Sequence, residues 1–434
     1  MGAIAWGLLG PETLASERRT RTLGLGATVR SFNDLAVPGL GGLWFGKQLL
    51  LATLGVEIAE CVRRSDKRAQ NIEVTNAVEA LACWLALDST GWKRDPRLRG
   101  ALKLSGKTDL SFATVSKRSF YVTQPMRQAT VQPLRAFGVV ESNGERFNAF
   151  RRTKNGKAFI DAACADFRPH KRSVLDHMVR WATGEHADVK NSSELTKALS
   201  PLEPLSESAR EFLRERIVQG TAMEASRRRN VLEWVEALRG QTRQIEWTPK
   251  PAMVDELHWR DLRAGALFFT ARDAAISLLD EIESHIGNAA DQRLSIDARL
   301  PDPVVTRIKS LQQHAQSFLN EKYDPPPAGD ATMFCQECTE HLHARLLERL
   351  LLREGHVLQQ RGRDILPGVA FRGAQVSQSG AARSPEEDGA EDEVAPVIPL
   401  PEGISHRVPN LFLLNLDLRG ELGKWLAGPT EDHD

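Results

Sequence analysis

Cysteine is scarce in this chain of 434 residues, which has five of them. An odd and sparse set of thiols in so long a chain argues against a disulfide framework and for a reducing compartment. No stretch reaches the roughly 18 consecutive apolar residues that a membrane-spanning helix needs. The short apolar stretch 3–9 has no charged leader before it and no small-residue cleavage site after it. We therefore expect a cytoplasmic protein that is not exported and has no membrane partner.

Motifs that would indicate catalysis are also missing. The sequence has no nucleophile beside a base, no pair of carboxylates in a short motif and no metal triad of histidine and acid. Asp280, Glu281 and Glu283 are typical of an exposed helix face. The only tyrosines, Tyr121 and Tyr323, have no partner that the sequence reveals. We predict a protein that is not an enzyme and that carries no cofactor.

One glycine-rich segment has the spacing of a phosphate-binding loop. Gly41-Gly-Leu-Trp-Phe-Gly-Lys47 places two glycines and a lysine where backbone amides and an ammonium would hold a phosphate. Gln48 stands where serine or threonine would bind magnesium, and Trp44 would crowd the phosphates. The preceding residues 31–38 lack the pattern of a buried strand. The segment favours a turn before an apolar helix, and nucleotide binding through it stays as an alternative function.

A second short motif contains residue types that bind zinc. Cys335, Cys338, His341 and His343 lie within nine residues, and thiolate with imidazole is a zinc-binding set. On a continuous helix the first three share a face while His343 points elsewhere, and no second CxxC pair completes the site. The pattern favours a helix with two buried thiols, so no metal is predicted, although binding by the first three residues is left open.

Charge is distributed unevenly, although the formal net charge is zero. Residues 91–160 contain 15 Lys and Arg against four acidic residues, a local net charge of +11. The remaining 364 residues therefore sum to −11, and part of that charge lies in the acidic stretch 386–393. The surrounding segment 373–403 is rich in small residues and proline, a composition that predicts a disordered linker.

The second half of the chain has helical periodicity. Apolar residues recur at helical spacing in 206–217, 222–238, 254–286, 304–323 and 333–360, with Ser206 as the first start signal. We predict a mainly α-helical protein. Its regions are an N-terminal basic arm and helical region (1–72), a small basic domain (73–170), an α-helical domain (171–372), the acidic linker (373–403) and an apolar segment (404–434) that docks on the main body or on a partner.

The small basic domain contains two informative phrases. The first comprises Leu134, Phe137, Gly138, Val139 and Val140, and the second comprises Arg152, Thr153, Asn155, Gly156, Lys157 and Ala158. Together they resemble winged helix-turn-helix proteins of the MarR and PadR kind, over roughly residues 91–163. In those proteins the first phrase ends the recognition helix, and the second closes a β-hairpin wing before a final helix. The resemblance implies this fold here.

The residues of these phrases have local structural reasons. Gly138 suits a left-handed helix stop, and Val139 and Val140 begin a strand. A turn at 142–145 then leads to a second strand predicted at 147–151, after which Thr153 is a helix N-cap. The wing is therefore coherent as a sequence pattern.

Pro133 departs from the family pattern because it falls inside the expected recognition helix. Proline there removes a backbone hydrogen bond and costs roughly 3 kcal/mol in a helix interior. We therefore expect the helix to start late or to bend, and we expect contacts dominated by the nucleic-acid backbone, with modest sequence preference.

The resemblance implies contact with nucleic acid, and the clustered cations support it because phosphate contacts supply most non-specific affinity. Glutamines near the helix could address base edges. The predicted contact residues are Lys117, Arg118, Gln124, Arg127, Gln128, Gln132, Arg135, Arg151, Arg152, Lys154 and Lys157. The simplest alternative is a solvated basic face without a ligand.

Three hypotheses of function follow. The first is a non-catalytic subunit of a bacterial multi-protein assembly that binds double-stranded DNA, with anti-phage defence or mobile-element maintenance as candidate systems; the choice between DNA and RNA stays open. Its helical domain would form a homodimer or dock other subunits. The second is a scaffold whose winged helix binds a partner protein, and the third is the nucleotide-binding protein already mentioned.

Overall fold

The computed structural model describes residues 21–144, 146–186, 188–220, 222–325, 329–373 and 397–428. The chain divides into two compact units. Unit 1 comprises Met1–Val29 and Leu267–Arg383, and unit 2 comprises Arg30–Ala266 and Ser384–Asp434. Most of the predicted acidic linker, 374–396, lies outside the described residues, as do the first twenty residues of the basic arm.

The described part of the chain is mainly helical, with a few short antiparallel strands. Its helices are α1 (Gly26–Ala36), α2 (Gly46–Arg64), α3 (Asn71–Ser89), α4 (Ala101–Leu104), α5 (Phe112–Val115), α6 (Arg127–Ala136), α7 (Lys154–Cys164), α8 (Val174–Ala182), α9 (Ser193–Leu199), α10 (Glu207–Ile217), α11 (Ala222–Ala237), α12 (Glu256–Asn288), α13 (Asp302–Asn320), α14 (Asp330–Cys338), α15 (His343–Glu354), α16 (Arg407–Arg419) and α17 (Leu422–Leu426). Its strands are β1 (Val140–Glu141), β2 (Arg151–Arg152), β3 (Leu294–Ser295), β4 (Leu358–Arg361) and β5 (Asp364–Pro367). Within this part, no helix is long and apolar enough to cross a membrane.

Helices α2 and α3 form the centre of unit 2. Their connection is the short segment 65–70, which makes them antiparallel neighbours. A Cβ atom at Gly55 would lie 2.6 Å from the Cα atom of Thr75, so the two backbones touch where the helices cross. Almost every side chain from Gly46 to Ala59 is buried, because other helices surround α2.

The C-terminal segment belongs to the body of unit 2. Helix α16 packs against α11, α10 and α2. Val408, Leu411 and Phe412 are buried in the hydrophobic core. The Asp417 carboxylate accepts a hydrogen bond from the Gly46 amide at 2.8 Å, which ties α16 to the start of α2. The apolar segment that the sequence predicts to dock therefore lies against its own chain.

Unit 1 contains α13, α14, α15 and a three-stranded antiparallel sheet in the order β3-β5-β4. The prediction of one helix over 333–360 was wrong. Helix α14 ends at Cys338, α15 begins at His343, and β4 follows. A neighbouring helix stabilises this break, because the side-chain amide of Gln312 in α13 donates to the Glu340 backbone carbonyl at 2.8 Å.

Three acidic residues of unit 1 surround the Arg21 side chain. The Arg21 guanidinium pairs with Asp280, with Glu283 at 2.7 Å and with Glu354 at 3.7 Å. The Glu283 side chain is fully buried. The expectation of an exposed acidic face was therefore wrong for Glu283, because a cation from a distant part of the sequence neutralises it in the interior.

Candidate functional site

Helix α6 ends as the sequence predicts. Gly138 has φ of 65°, and its amide donates to the Arg135 carbonyl at 2.9 Å. The Val139 amide donates to the Leu134 carbonyl at 3.1 Å, which completes a Schellman motif. Because this motif reverses the chain, β1 starts directly after α6.

The hairpin β1–β2 is short and antiparallel, with Val140 opposite Arg152 and Glu141 opposite Arg151. The first strand is confirmed. The predicted second strand, 147–151, was wrong in extent, because residues Phe147–Ala149 form a 3-10 helix and the strand is Arg151–Arg152.

The reason for the 3-10 turn is the burial of two aromatic rings. Phe147 and Phe150 are both buried, with ring centroids 5.1 Å apart. Residues three apart point to opposite faces of a strand but to the same side of a 3-10 helix. The side-chain amide of Asn71 in α3 donates to the backbone carbonyls of Phe147 at 3.1 Å and Phe150 at 2.8 Å, which stabilises the turn.

The predicted start of α7 is confirmed. The Thr153 hydroxyl accepts a hydrogen bond from the Gly156 amide at 3.1 Å, as an N-cap does. A Cβ atom at Gly156 would lie 2.2 Å from the Val139 carbonyl oxygen. Glycine is therefore required here because α7 packs directly on the chain that enters β1.

A buried carboxylate caps the other end of α6. Glu79 of α3 accepts hydrogen bonds from the amides of Met126 at 2.6 Å and Arg127 at 3.0 Å. Burial raises the pKa of Glu79 to about 7, and these two amides act in the opposite direction. The positive end of the α6 dipole is thus satisfied within the protein, and its first amides are not open to an external anion.

Pro133 is accommodated by a glycine loop. Helix α6 begins at Arg127 and runs through Pro133 to Ala136, so the expected late start is not observed. Proline has no N–H, which leaves the Ala129 carbonyl without its helical donor. The Gly42 amide donates to this carbonyl at 3.1 Å. The neighbouring Gly41 has φ of 58°, and a Cβ atom there would lie 2.8 Å from the same oxygen.

Several predicted contact residues lie on the surface. The exposed residues are Lys117, Arg118, Gln128, Arg135, Arg151, Lys154 and Lys157. Five of these cations have no side-chain hydrogen bond or ion pair among the described residues, namely Lys117, Arg118, Arg135, Arg151 and Lys154. Lys157 pairs with Asp161 at 2.5 Å, and the Gln128 amide donates to the Thr123 carbonyl at 3.3 Å. Gln128 and Arg135 are seven residues apart and share the outer face of α6.

Other predicted contact residues have partners inside the protein. The Arg127 guanidinium donates to the Asn76 side chain at 2.6 Å, and burial lowers its pKa. Arg152 pairs with Glu57 of α2. The side chains of Gln132 and of Gln124 are half-buried.

The side-chain oxygen Oε1 of Gln132 accepts a hydrogen bond from the Arg407 guanidinium at 2.7 Å. Arg407 lies at the start of α16, is buried and also pairs with Asp34. Sequence reasoning missed this contact because the two residues are 275 positions apart. The same applies to Arg216 of α10, whose guanidinium donates to the Phe137 carbonyl at 2.7 Å at the end of α6.

No family model, no curated protein and no solved structure matches this chain.

Gly46 and Lys47 of the phosphate-loop motif form hydrogen bonds to other groups of the protein. Lys47 is buried, and its ammonium donates to the carbonyls of Lys197 at 3.2 Å and Ala198 at 2.5 Å, at the end of α9. Burial lowers the pKa of Lys47 to about 8. The Gly46 amide donates to Asp417. A cation on terminal helix carbonyls and a carboxylate on a first amide are both stabilising helix caps.

The cysteines of the zinc-type motif are buried in unit 1. Burial raises the pKa of Cys335 to about 12 and also raises that of Cys338. Because α14 ends at Cys338, His341 lies outside the helix that carries the thiols. Among the described residues, no group of three or more His, Cys, Asp or Glu side chains could hold a metal ion.

Proposed function

We propose that unit 2 binds double-stranded DNA through a winged helix-turn-helix in which α6 is the recognition helix and β1–β2 is the wing. The order of elements supports this assignment, since α3, α5 and α6 are followed by a hairpin and then by α7. The segment between α5 and α6, residues 116–126, is longer than the three or four residues of a simple helix-turn-helix, and it carries Lys117 and Arg118.

The observation that carries the proposal is a set of five exposed cations whose side chains make no hydrogen bond or ion pair with any described residue. They are Lys117, Arg118, Arg135, Arg151 and Lys154, in the turn before α6, on its outer face, on the wing and at the start of α7. Side chains that remain solvated and unpaired can exchange their counterions for phosphates. Pairing within the protein would have removed that ability, as it has for Arg152.

The internal contacts of α6 favour a binding mode dominated by the DNA backbone. Its first amides are capped by Glu79, and Gln132 is held by Arg407. Gln128 is the exposed glutamine on its outer face. Phosphate contacts position a protein on the duplex, whereas base contacts specify sequence. We therefore expect modest sequence preference.

The proposed role is that of a non-catalytic subunit in a bacterial multi-protein assembly, with anti-phage defence or mobile-element maintenance as candidate systems. Large apolar side chains that are exposed in unit 1 are the candidates for contact with other subunits, namely Met333, Leu342, Leu352 and Val369. The competing role, a scaffold whose winged helix binds protein, uses the same surface without DNA.

Binding of a labelled duplex by the full chain tests the proposal. The triple variant Arg135→Gln/Arg151→Gln/Lys154→Gln should bind about tenfold or more weakly at low salt, because it removes three phosphate contacts. The control variant carries the same change of charge at exposed positions elsewhere, Arg307→Gln/Lys309→Gln/Lys424→Gln, and should bind within about twofold of the native chain. Equal losses in both variants, or no binding by the native chain at low salt, would overturn the proposal and favour the scaffold.

A further inference from the structure

A groove with an acidic rim lies between α10 and α11 of unit 2. It is lined by Glu211, Arg214, Glu215 and Val218 from α10 and by Leu232, Glu233 and Glu236 from α11. Its lining surface is mostly apolar, with Val218 half-buried and Leu232 buried. The groove is separate from α6 and the wing, and its sign of charge is the opposite of theirs.

One end of the groove is fixed by hydrogen bonds to α16. The Arg214 guanidinium donates to the Asn415 side chain at 3.2 Å, and Asn415 donates to Glu236 at 2.7 Å. Arg419 pairs with Glu236 at 2.9 Å. Glu236 is thus paired within the protein, and Asn415 joins it to Arg214 at this end of the groove.

The rim carboxylates have no such partners. Glu211, Glu215 and Glu233 are exposed, and among the described residues none of them has a side-chain hydrogen bond or an ion pair. Glu211 and Glu215 are four residues apart on α10, where like charges destabilise a helix by a few tenths of a kcal/mol. Three unpaired carboxylates beside an apolar floor make a surface that complements a cation attached to an apolar side chain.

We infer that this groove binds a basic amphipathic helix of a partner protein. Two glutamates at i and i+4 are roughly 6 Å apart along α10, which matches arginine or lysine at i and i+4 on a helix laid beside it. An apolar side chain between those cations would cover Val218 and Leu232. Nucleic acid is excluded as the occupant by the negative rim, because phosphates would be repelled. The inference does not depend on the proposed binding of DNA.

The test uses the full chain and a labelled helical peptide that carries arginine at i and i+4 with leucine between them. Native protein should bind this peptide at low salt, and a peptide with glutamate in place of arginine should not bind. The variant Glu211→Gln/Glu215→Gln/Glu233→Gln should bind the arginine peptide about tenfold more weakly. The control Glu73→Gln/Glu256→Gln/Glu402→Gln changes three exposed glutamates elsewhere by the same charge and should stay within about twofold of native affinity.

Three results would overturn the inference. One is no peptide binding at low salt. Another is an equal loss in both triple variants, which would show attraction by the overall field of the chain instead of binding in the groove. A third is a dimer in sedimentation that the groove variant abolishes, since the occupant would then be a second copy of this chain. Duplex binding should persist in the groove variant, because its cations near α6 are unchanged. Failure of peptide binding can therefore be distinguished from failure of the proposed binding of DNA.

Discussion

Replacing Glu79 by glutamine should change how the stability of unit 2 depends on pH. Glu79 is fully buried at the start of α6, where it accepts two backbone hydrogen bonds. Glutamine has nearly the same shape and does not titrate, but its one carbonyl oxygen can replace only one of the two carboxylate oxygens that accept these bonds. The lost bond lowers the stability of Glu79→Gln by the same amount at every pH, so the part of the difference that changes with pH reports the protonation of Glu79.

The sign follows from the pKa of Glu79, which burial raises from 4.5 to about 7. Between these values the folded state holds a proton that the unfolded state has released, so the free energy of unfolding falls as pH rises through this window. At about 1.4 kcal/mol per pKa unit, the native chain should lose about 3 kcal/mol relative to Glu79→Gln between the acidic and neutral ends. Other groups titrate equally in both proteins and cancel in the difference.

Urea unfolding followed by tryptophan fluorescence measures this difference. Eight of the nine tryptophans lie in unit 2, so the signal reports on the unit that contains Glu79. The free energy of unfolding should be compared for both proteins at several values from about pH 4 to about pH 8, a range that includes both 4.5 and the raised pKa of about 7. Parallel curves for the two proteins, or a variant that loses relative stability as pH rises, would show that Glu79 is not protonated in the folded state at acidic pH.

Three further substitutions test individual contacts. Gly156→Ala should lower the free energy of unfolding by about 2–3 kcal/mol, because the added Cβ atom would clash with the Val139 carbonyl oxygen. The control Gly144→Ala, whose Cβ atom would have no neighbour, should change this free energy by less than about 0.5 kcal/mol, and equal effects of the two variants in urea unfolding would contradict the packing of α7 on β1. Burial lowers the pKa of Lys47 to about 8, so the free energy of unfolding of the native chain should rise with pH between about 8 and 10.5. Denaturation curves of Lys47→Met should lack this rise, and a variant that keeps it would exclude Lys47 as its source. Burial also lowers the pKa of His177 below 6.5, so the free energy of unfolding should fall as pH drops below that value. The fall should be weaker in His177→Gln, and an unchanged pH profile in this variant would exclude His177 as its source.

Features that depend on nearby residues could be predicted from the sequence. The helix stop at Gly138 and the N-caps at Thr153 and Ser206 use hydrogen bonds between residues five or fewer positions apart. These caps can be recognised in the sequence without knowledge of the tertiary structure, because each donor and its acceptor lie in the same short segment. The helical periodicity of 206–217 and 254–286 has the same local origin.

Features that depend on distant residues could not be predicted. The cap of α6 by Glu79 and the capture of Gln132 by Arg407 join positions 47 and 275 residues apart. The break between α14 and α15 is invisible in the apolar pattern, because it is held by Gln312 of another helix. The same reason explains why Arg127 appeared in the sequence as a surface cation, although α3 and an aromatic ring surround it in the structure.

The salt dependence of duplex binding shows whether the exposed cations near α6 bind the phosphates of DNA. If all five of the exposed cations in the proposed site contact phosphates, a plot of log binding constant against log salt concentration should have a slope of about −4 to −5. The variant that lacks Arg135, Arg151 and Lys154 should have a slope shallower by about 2 to 3. No binding at low salt, or a slope that is the same in both proteins, would show that these cations do not bind DNA phosphates.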